Sequence, residues 1–361
     1  MPFTKVSSNS FSGQTLYIGL DVHKKNWAVS ILSDHHELKT MSTDPNPDVL
    51  AKFLFKNYPG ANYQAVYEAG FSGFGACRHF KELGIDCRVV NPADVPTTHK
   101  EKIQKTDSID SRKLARMLRN NEISTVHIPD VDLEMDRSLV RQRFNLSKDL
   151  TRQKIRVRAL LMQYGIEIPE RFTKSQYRSW TKVYMEWLRK IPEVSLQLQQ
   201  VINNYIDTGV ILKKQLLAVT RQIRLLSTTE AYQTNCALLN SIPGIGTLVA
   251  MNLLVQFGDI NRFKRLDELC NYVGITPTMY NSGDKTVAGK LSNRGRKSTK
   301  IMLIEASWIA VRRDSALTLR FNELIKRMNK NKAIIKITKN LINRIRHVLI
   351  HQTPYELGVI K

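Results

Sequence analysis

Between Leu16 and Pro92 the apolar residues come in strand-length runs, LYIGLDV, NWAVSILS, YQAVYEAG and IDCRVVNP, whereas beyond about Met135 they recur only at helical spacing. That change of period narrows the fold more than any other feature. A helical segment, FGACRHFKELG, closed by Gly84, separates the last two runs and makes a strand-helix-strand unit, so a mixed sheet flanked by helices is expected first. A turn-rich NPADVPTTHKEK and a helix from about Asp107 to Asn120 complete that part. The fold class is therefore α/β followed by α: a flexible tail over 1–15, an α/β domain over 16–130, a helical, coiled-coil-like region over 131–234 and a helical C-terminal domain over 235–361. In the last domain the expected loops are Pro243 to Gly246 and Thr276 to Gly295.

Charge follows the same division. The 361 residues carry 55 Lys and Arg against 32 Asp and Glu, a net charge of +23. A chain this basic meets a polyanion, nucleic acid in the first reading and an anionic membrane surface in the second. Residues 16 to 115 are balanced, 13 basic against 12 acidic, while Arg137 to Arg158 holds eight basic residues and one acid, and Ser282 to Ile350 holds 17 and four. Arg137, Arg141 and Arg143 are thus candidates for phosphate contact on a helix face, although a helical hairpin with a solvated basic face reads the same way. The longest apolar run, Ile301 to Val311, contains Glu305 and is too short to span a membrane. The N-terminal text lacks the apolar block of a secretory signal, so a cytoplasmic protein, nucleoid-associated when bound to DNA, is expected. Cys77, Cys87, Cys236 and Cys270 form no metal-binding pattern and read as reduced, mostly buried thiols.

Four acids could carry chemistry. Asp21 lies inside an apolar strand, where a carboxylate costs several kcal/mol unless it is paired, hydrated or metal-bound, and Glu68 repeats the situation at the end of QAVYEAG. Asp107 and Asp110, three apart at a helix start, share one face, although a capping box uses the same residues. Together the four suit a two-metal phosphoryl-transfer site holding Mg²⁺, the arrangement of nucleases with a ribonuclease H-like fold.

Further along, SIPGIGTLV puts Gly244 and Gly246 between two helical runs, the text of a helix-hairpin-helix, whose backbone N–H groups can grip a phosphate; a plain helix-helix turn uses the same residues. In NSGDKTVAGKLSNRGRK, Ser282 stands among Lys285, Lys290, Arg294, Arg296 and Lys297. On its own chemistry Asn281-Ser282-Gly283 is a turn, with a nucleophilic serine in a positive field as the bolder alternative.

The ordered set YIGLDVHKK, VYEAG, KTDSIDSRKLARML, VHIP, SLVRQR, SIPGIGTLVAMNLL, FGDINRF, YVGITP, NSG and GKLSNRGRK resembles the insertion sequence 110 / 1111 family of transposases, the DEDD recombinases related to the Piv invertase. The resemblance runs from about residue 16 to about 320. It implies a RuvC-like domain in which Asp21, Glu68, Asp107 and Asp110 form the tetrad that binds Mg²⁺. It also implies a C-terminal transposase domain in which Ser282 attacks a DNA phosphate and leaves a phosphoserine link. Donor and target DNA, a structured guide RNA known as the bridge RNA, and a homo-oligomer, dimer or tetramer, are the implied partners, with tetrad and serine of one composite site coming from different subunits. Ser111 stands where Ala is common, Lys300 where Arg is, and the stretch from Glu167 to Asp207 has no counterpart. Two other readings compete with this one: a hydrolytic RuvC-type endonuclease or junction resolvase, and a non-catalytic nucleic-acid-binding protein.

Overall fold

β1 (Thr15–Val22) is the middle of a five-stranded sheet ordered β3, β2, β1, β4, β5, where β2 is Trp27–Leu32, β3 Glu37–Thr43, β4 Asn62–Glu68 and β5 Asp86–Val90. β2 and β3 run antiparallel to their neighbours, and β4 and β5 run parallel to β1. The computed structural model describes residues 11–96, 106–173, 180–192, 194–282, 285–292 and 294–357, giving the backbone alone for 279–282 and 285–288. The chain divides into two compact units between Pro129 and Asp130.

In the first unit α1 (Pro47–Asn57) and α2 (Gly75–Glu82) cover one sheet face, burying Leu50, Leu54 and Phe80 with Leu16, Ile18, Leu20 and Val89. α3 (Asp107–Arg119) covers the other, where Leu114 and Leu118 pack with Val66 and Val90. Both faces of the central strands are buried, so they read as nearly continuous apolar runs. The mixed sheet with helices on both faces agrees with the ribonuclease H-like expectation. β3 and α1 lie in text that the apolar-run reading passed over, because β3 is a half-exposed edge strand of sequence ELKTMST.

The second unit begins with α4 (Val131–Gln163) and includes α5 (Glu170–Thr173), α6 (Lys182–Leu188) and α7 (Leu196–Leu226). α4 and α7 lie antiparallel: Arg143 Nε donates to Thr220 Oγ1 at 3.1 Å, and the Arg156 guanidinium stands 5.9 Å from the Tyr205 ring centroid. The stretch without a counterpart in the family text builds an apolar tip on this pair, in which Phe172, Trp180, Tyr184 and Leu188 close over Val157, Leu161, Ile202 and Ile206. Next come α8 (Gln233–Asn240), α9 (Thr247–Phe257), α10 (Leu266–Val273), α11 (Lys297–Arg313), α12 (Ser315–Ile325) and α13 (Lys330–His351), packed around Leu253, Phe257, Leu303 and Leu341.

The C-terminal region is not helical throughout. Where loops were expected between Thr276 and Gly295, β6 (Pro277–Ser282) and β7 (Lys285–Leu291) form an antiparallel hairpin. Its polar, glycine-containing text shows no apolar run because the strands pair with each other and with no larger sheet. The four cysteines are free and buried, and among the described residues no helix is long and apolar enough to cross a membrane.

Candidate functional site

Gly19 decides how closely α3 approaches β1. A β-carbon there would stand 1.9 Å from the Ser111 carbonyl oxygen and 2.5 Å from the Ala115 nitrogen, so only glycine fits. Ser30, opposite Gly19 in register, shares a hydrogen bond with Ser111 Oγ at 2.9 Å, and both residues are fully buried. Serine at 111 thus fastens the helix to the sheet, which is the work this departure from the family text does.

That contact carries the first turn of α3 to the C-terminal end of β1. Asp21 lies two residues past Gly19 and so on the same face. Leu20 is opposite Tyr67 in the parallel β1–β4 register, which makes Asp21 and Glu68 the next neighbours, and Val66, two before Glu68, packs with α3. The structure therefore brings Asp21 and Asp107 together, and places Glu68 at the end of the neighbouring strand and Asp110 in the same first turn of α3 as Asp107. α3 starts at Asp107 after Thr106, whose side chain makes no capping bond, so the capping box weighed for this pair does not form.

His23, two residues beyond Asp21, joins the acids. Its Nε2 is 3.1 Å from Asp21 Oδ2 and 3.5 Å from Asp107 Oδ1, and ligand atoms of Asp21, His23 and Asp107 all lie within 4.8 Å of one another. A histidine after a strand reads as a solvent-facing residue; its period-2 spacing from Asp21 was the signal that could have found it. Burial pushes the Asp21 carboxyl above its ordinary value, His23 pulls against that, and the charges of Asp107 and Asp110 add to the rise. Hard oxygen donors that repel one another, with one imidazole beside them, fit a divalent cation. The Asp21 side chain is 24% exposed and that of Asp107 55%, so the cluster opens to solvent on one side, as a site for a large substrate requires.

The residues expected to touch nucleic acid are placed less uniformly. Arg137 is 4% exposed and its guanidinium donates to the carbonyls of Val255 and Gln256, clasping the end of α9 from α4. Arg141, one turn on, is exposed, and Arg143 is half-buried on Thr220. Gly244, with φ +90°, faces α11, where a β-carbon would meet the Ala306 carbonyl oxygen at 2.3 Å, whereas Gly246 precedes α9 with open space beside it. Ser282 is the last residue of β6 and pairs with Lys285, the first of β7; their side chains lie outside the described residues. Lys290, Arg294 and Lys297 are exposed, and Arg296 stands over the Tyr272 ring, 5.6 Å from its centroid. Lys300 donates from Nζ to the Ser292 carbonyl oxygen at 3.1 Å, tying α11 to the segment after β7.

Comparisons with known proteins agree in sense with this geometry. Residues 18–166 match the DEDD transposase model of IS110, and residues 236–322 match the model of the transposase IS116/IS110/IS902 family. The transposase for insertion sequence element IS1533 of Leptospira borgpetersenii is 29% identical over 248 residues, covering 68% of this chain and 70% of its own. The transposase for insertion sequence element IS1111A of Coxiella burnetii is 23% identical over 285 residues, covering 78% and 76%.

Proposed function

The chain belongs to the IS116/IS110/IS902 family of insertion-sequence transposases, and from that premise we propose that it cuts and rejoins DNA strands through a metal-assisted attack by Ser282. The observation that carries this reading is the convergence of Asp21, Asp107 and His23 within 4.8 Å, with Glu68 next in register and Asp110 one helical turn on.

Asp21, Glu68, Asp107 and Asp110 are the residues that would hold the cation, Mg²⁺ by their oxygen-rich chemistry, with His23 beside them. When bound, such ions polarise the scissile phosphate and stabilise the departing oxygen. The chain's own part is positioning: the Gly19–Ser111 contact fixes the α3 carboxylates against Asp21, and the open side admits a strand. In the cleavage step the Ser282 hydroxyl oxygen forms a bond to phosphorus as the phosphodiester P–O bond breaks. The serine proton passes to a base, and the departing strand leaves with a free hydroxyl. Rejoining reverses the step with another strand, and the phosphoserine conserves the bond energy meanwhile. Guidance by a structured bridge RNA and a homo-oligomeric assembly, with serine and tetrad of one site drawn from different subunits, complete the proposal on family grounds. The glycine turn between α8 and α9 takes the helix-hairpin-helix role, with Gly246 on its open side. Gel analysis of purified protein with its own flanking DNA tests the metal half: Asp107→Asn abolishes strand cleavage, and cleavage that survives both this change and EDTA contradicts it.

A further inference from the structure

The two legs of the β6–β7 hairpin meet at its base, where Ser292 N donates to Thr276 O at 3.1 Å and a β-carbon on Gly274 would lie 3.3 Å from Gly295 Cα. On either side of that junction stand Tyr272 and Arg296. The Tyr272 ring has two guanidinium groups against it, Arg262 at 4.7 Å and Arg296 at 5.6 Å from its centroid. Tyr272 OH and Arg137 Nη2 donate to the same Gln256 carbonyl oxygen, at 2.7 and 3.1 Å, so Arg137 belongs to the group, and Arg141 follows one turn along α4.

Four guanidinium groups from three separate segments thus gather at one aromatic ring, and among the described residues none of the four forms an ion pair with a carboxylate. Burial, with repulsion from the neighbouring guanidinium groups, holds Arg137 and Arg262 below the ordinary arginine value, although Tyr272 and, for Arg262, the Asp259 carboxylate pull the other way. Arginine stays ionised regardless, and the Glu134 and Asp259 carboxylates offset the repulsion at Arg141 and Arg262 only in part, so a bound anion would relieve it further. Arg296 also precedes the first turn of α11 without capping it, and in that turn the Thr299 hydroxyl is fully buried with no partner among the described residues. Planar forks around a helix N-terminus match a phosphate, which accepts from several donors at once.

We propose that Arg141, Arg262 and Arg296, gathered around Tyr272 with Arg137 behind them, seat one backbone phosphate of the DNA strand brought to the β6–β7 hairpin. The proposal rests on the DNA-transposase reading and adds to it a defined phosphate position at the root of the element that carries Ser282. Arg262 and Tyr272 lie in the motifs FGDINRF and YVGITP, but no sequence pattern assigns either a phosphate-binding role; their place beside Arg137 and Arg296 comes from the structure.

The test is equilibrium binding of the full-length protein, in EDTA, to a mixed-sequence DNA oligonucleotide over a salt series, read by fluorescence anisotropy, with RNA of the same sequence as a second probe. Arg141→Gln and Arg296→Gln are each expected to weaken DNA binding several-fold at low salt and to lower the slope of log affinity against log salt by about 0.7 to 0.9. Arg141 makes no hydrogen bond within the described residues, so its variant keeps the parent melting temperature. Arg265→Gln, outside the cluster and paired with Glu268, leaves the slope unchanged. An unchanged slope in both cluster variants, an equal loss in Arg265→Gln, a loss confined to RNA, or no DNA binding by the parent overturns the proposal. Asp107→Asn binds as the parent does, so a variant that still cleaves faults the metal centre while the phosphate seat stands.

Discussion

At the scale of single residues, the account assigns different failures to neighbouring positions. His23→Ala leaves the acids in place but removes the imidazole between Asp21 and Asp107, so DNA cleavage is expected to need a several-fold higher Mg²⁺ concentration for half-maximal rate. A midpoint equal to the parent's would detach His23 from the centre. Gly19→Ala drives a β-carbon into the backbone of α3, and denaturant unfolding should show a loss of at least about 1–3 kcal/mol; no loss would mean that the helix can stand off the sheet. All four acids stand out in the sequence as candidates, Asp21 and Glu68 because a carboxylate in an apolar strand is anomalous and Asp107 and Asp110 because a helix-start pair shares a face, while their grouping as one tetrad comes from the family resemblance. His23 does not stand out, since a histidine next to two lysines has an ordinary explanation in solvent. Arg137 was read as a phosphate contact, but the sequence cannot show that the end of α9 supplies two carbonyls to its guanidinium.

Among elements, legibility depended on whether the apolar pattern alone defined the element. β1, β2, β4, β5 and α3 carry their own periodicity, whereas β6 and β7 are polar strands that exist by pairing with each other, and such text is indistinguishable from loop. The distal tip of α4 and α7 is likewise a tertiary feature. A β-carbon on Gly209 would stand 2.1 Å from the Trp180 ring, so Gly209→Ala is expected to displace that ring and cost about 1–3 kcal/mol, seen as an altered tryptophan emission spectrum with a lower unfolding midpoint. A further tie joins α12, α13 and the C-terminal segment: Asp314, 1% exposed, accepts from Arg344, from the Leu317 N–H at 3.0 Å and from Tyr355 OH at 2.7 Å. Burial alone would raise the Asp314 carboxyl, but hydrogen bonds from Tyr355 and Leu317 and the Arg344 charge outweigh it and hold the group below its ordinary value. A depressed carboxylate contributes stability that is present above about pH 4 and lost as pH falls through the folded-state value. Asp314→Asn should therefore be less stable at neutral pH and lose less on acidification than the parent, as measured by thermal unfolding across pH; an unchanged acid response would refute the role of this carboxylate.

For the whole molecule, charge and fold divide the labour along the chain. The balanced first unit holds the acids, whose mutual repulsion at the sheet edge is what a cation would relieve. The excess of basic residues lies in the second unit, with the serine hairpin and the arginines around Tyr272. A chain with net charge +23 should bind DNA with a steep salt dependence that the acidic variants leave intact, separating binding from chemistry. The central claim is that one reaction needs both the acids of the first unit and Ser282 of the second. The most direct measurement is a search for an SDS-resistant protein–DNA adduct after expressing the protein with its own flanking DNA, mapped to a residue by mass spectrometry. The account predicts an adduct at Ser282 that disappears in Asp107→Asn and in Ser282→Ala; cut DNA with free ends and no adduct would contradict it, leaving a hydrolytic nuclease in which Ser282 is only a hairpin residue.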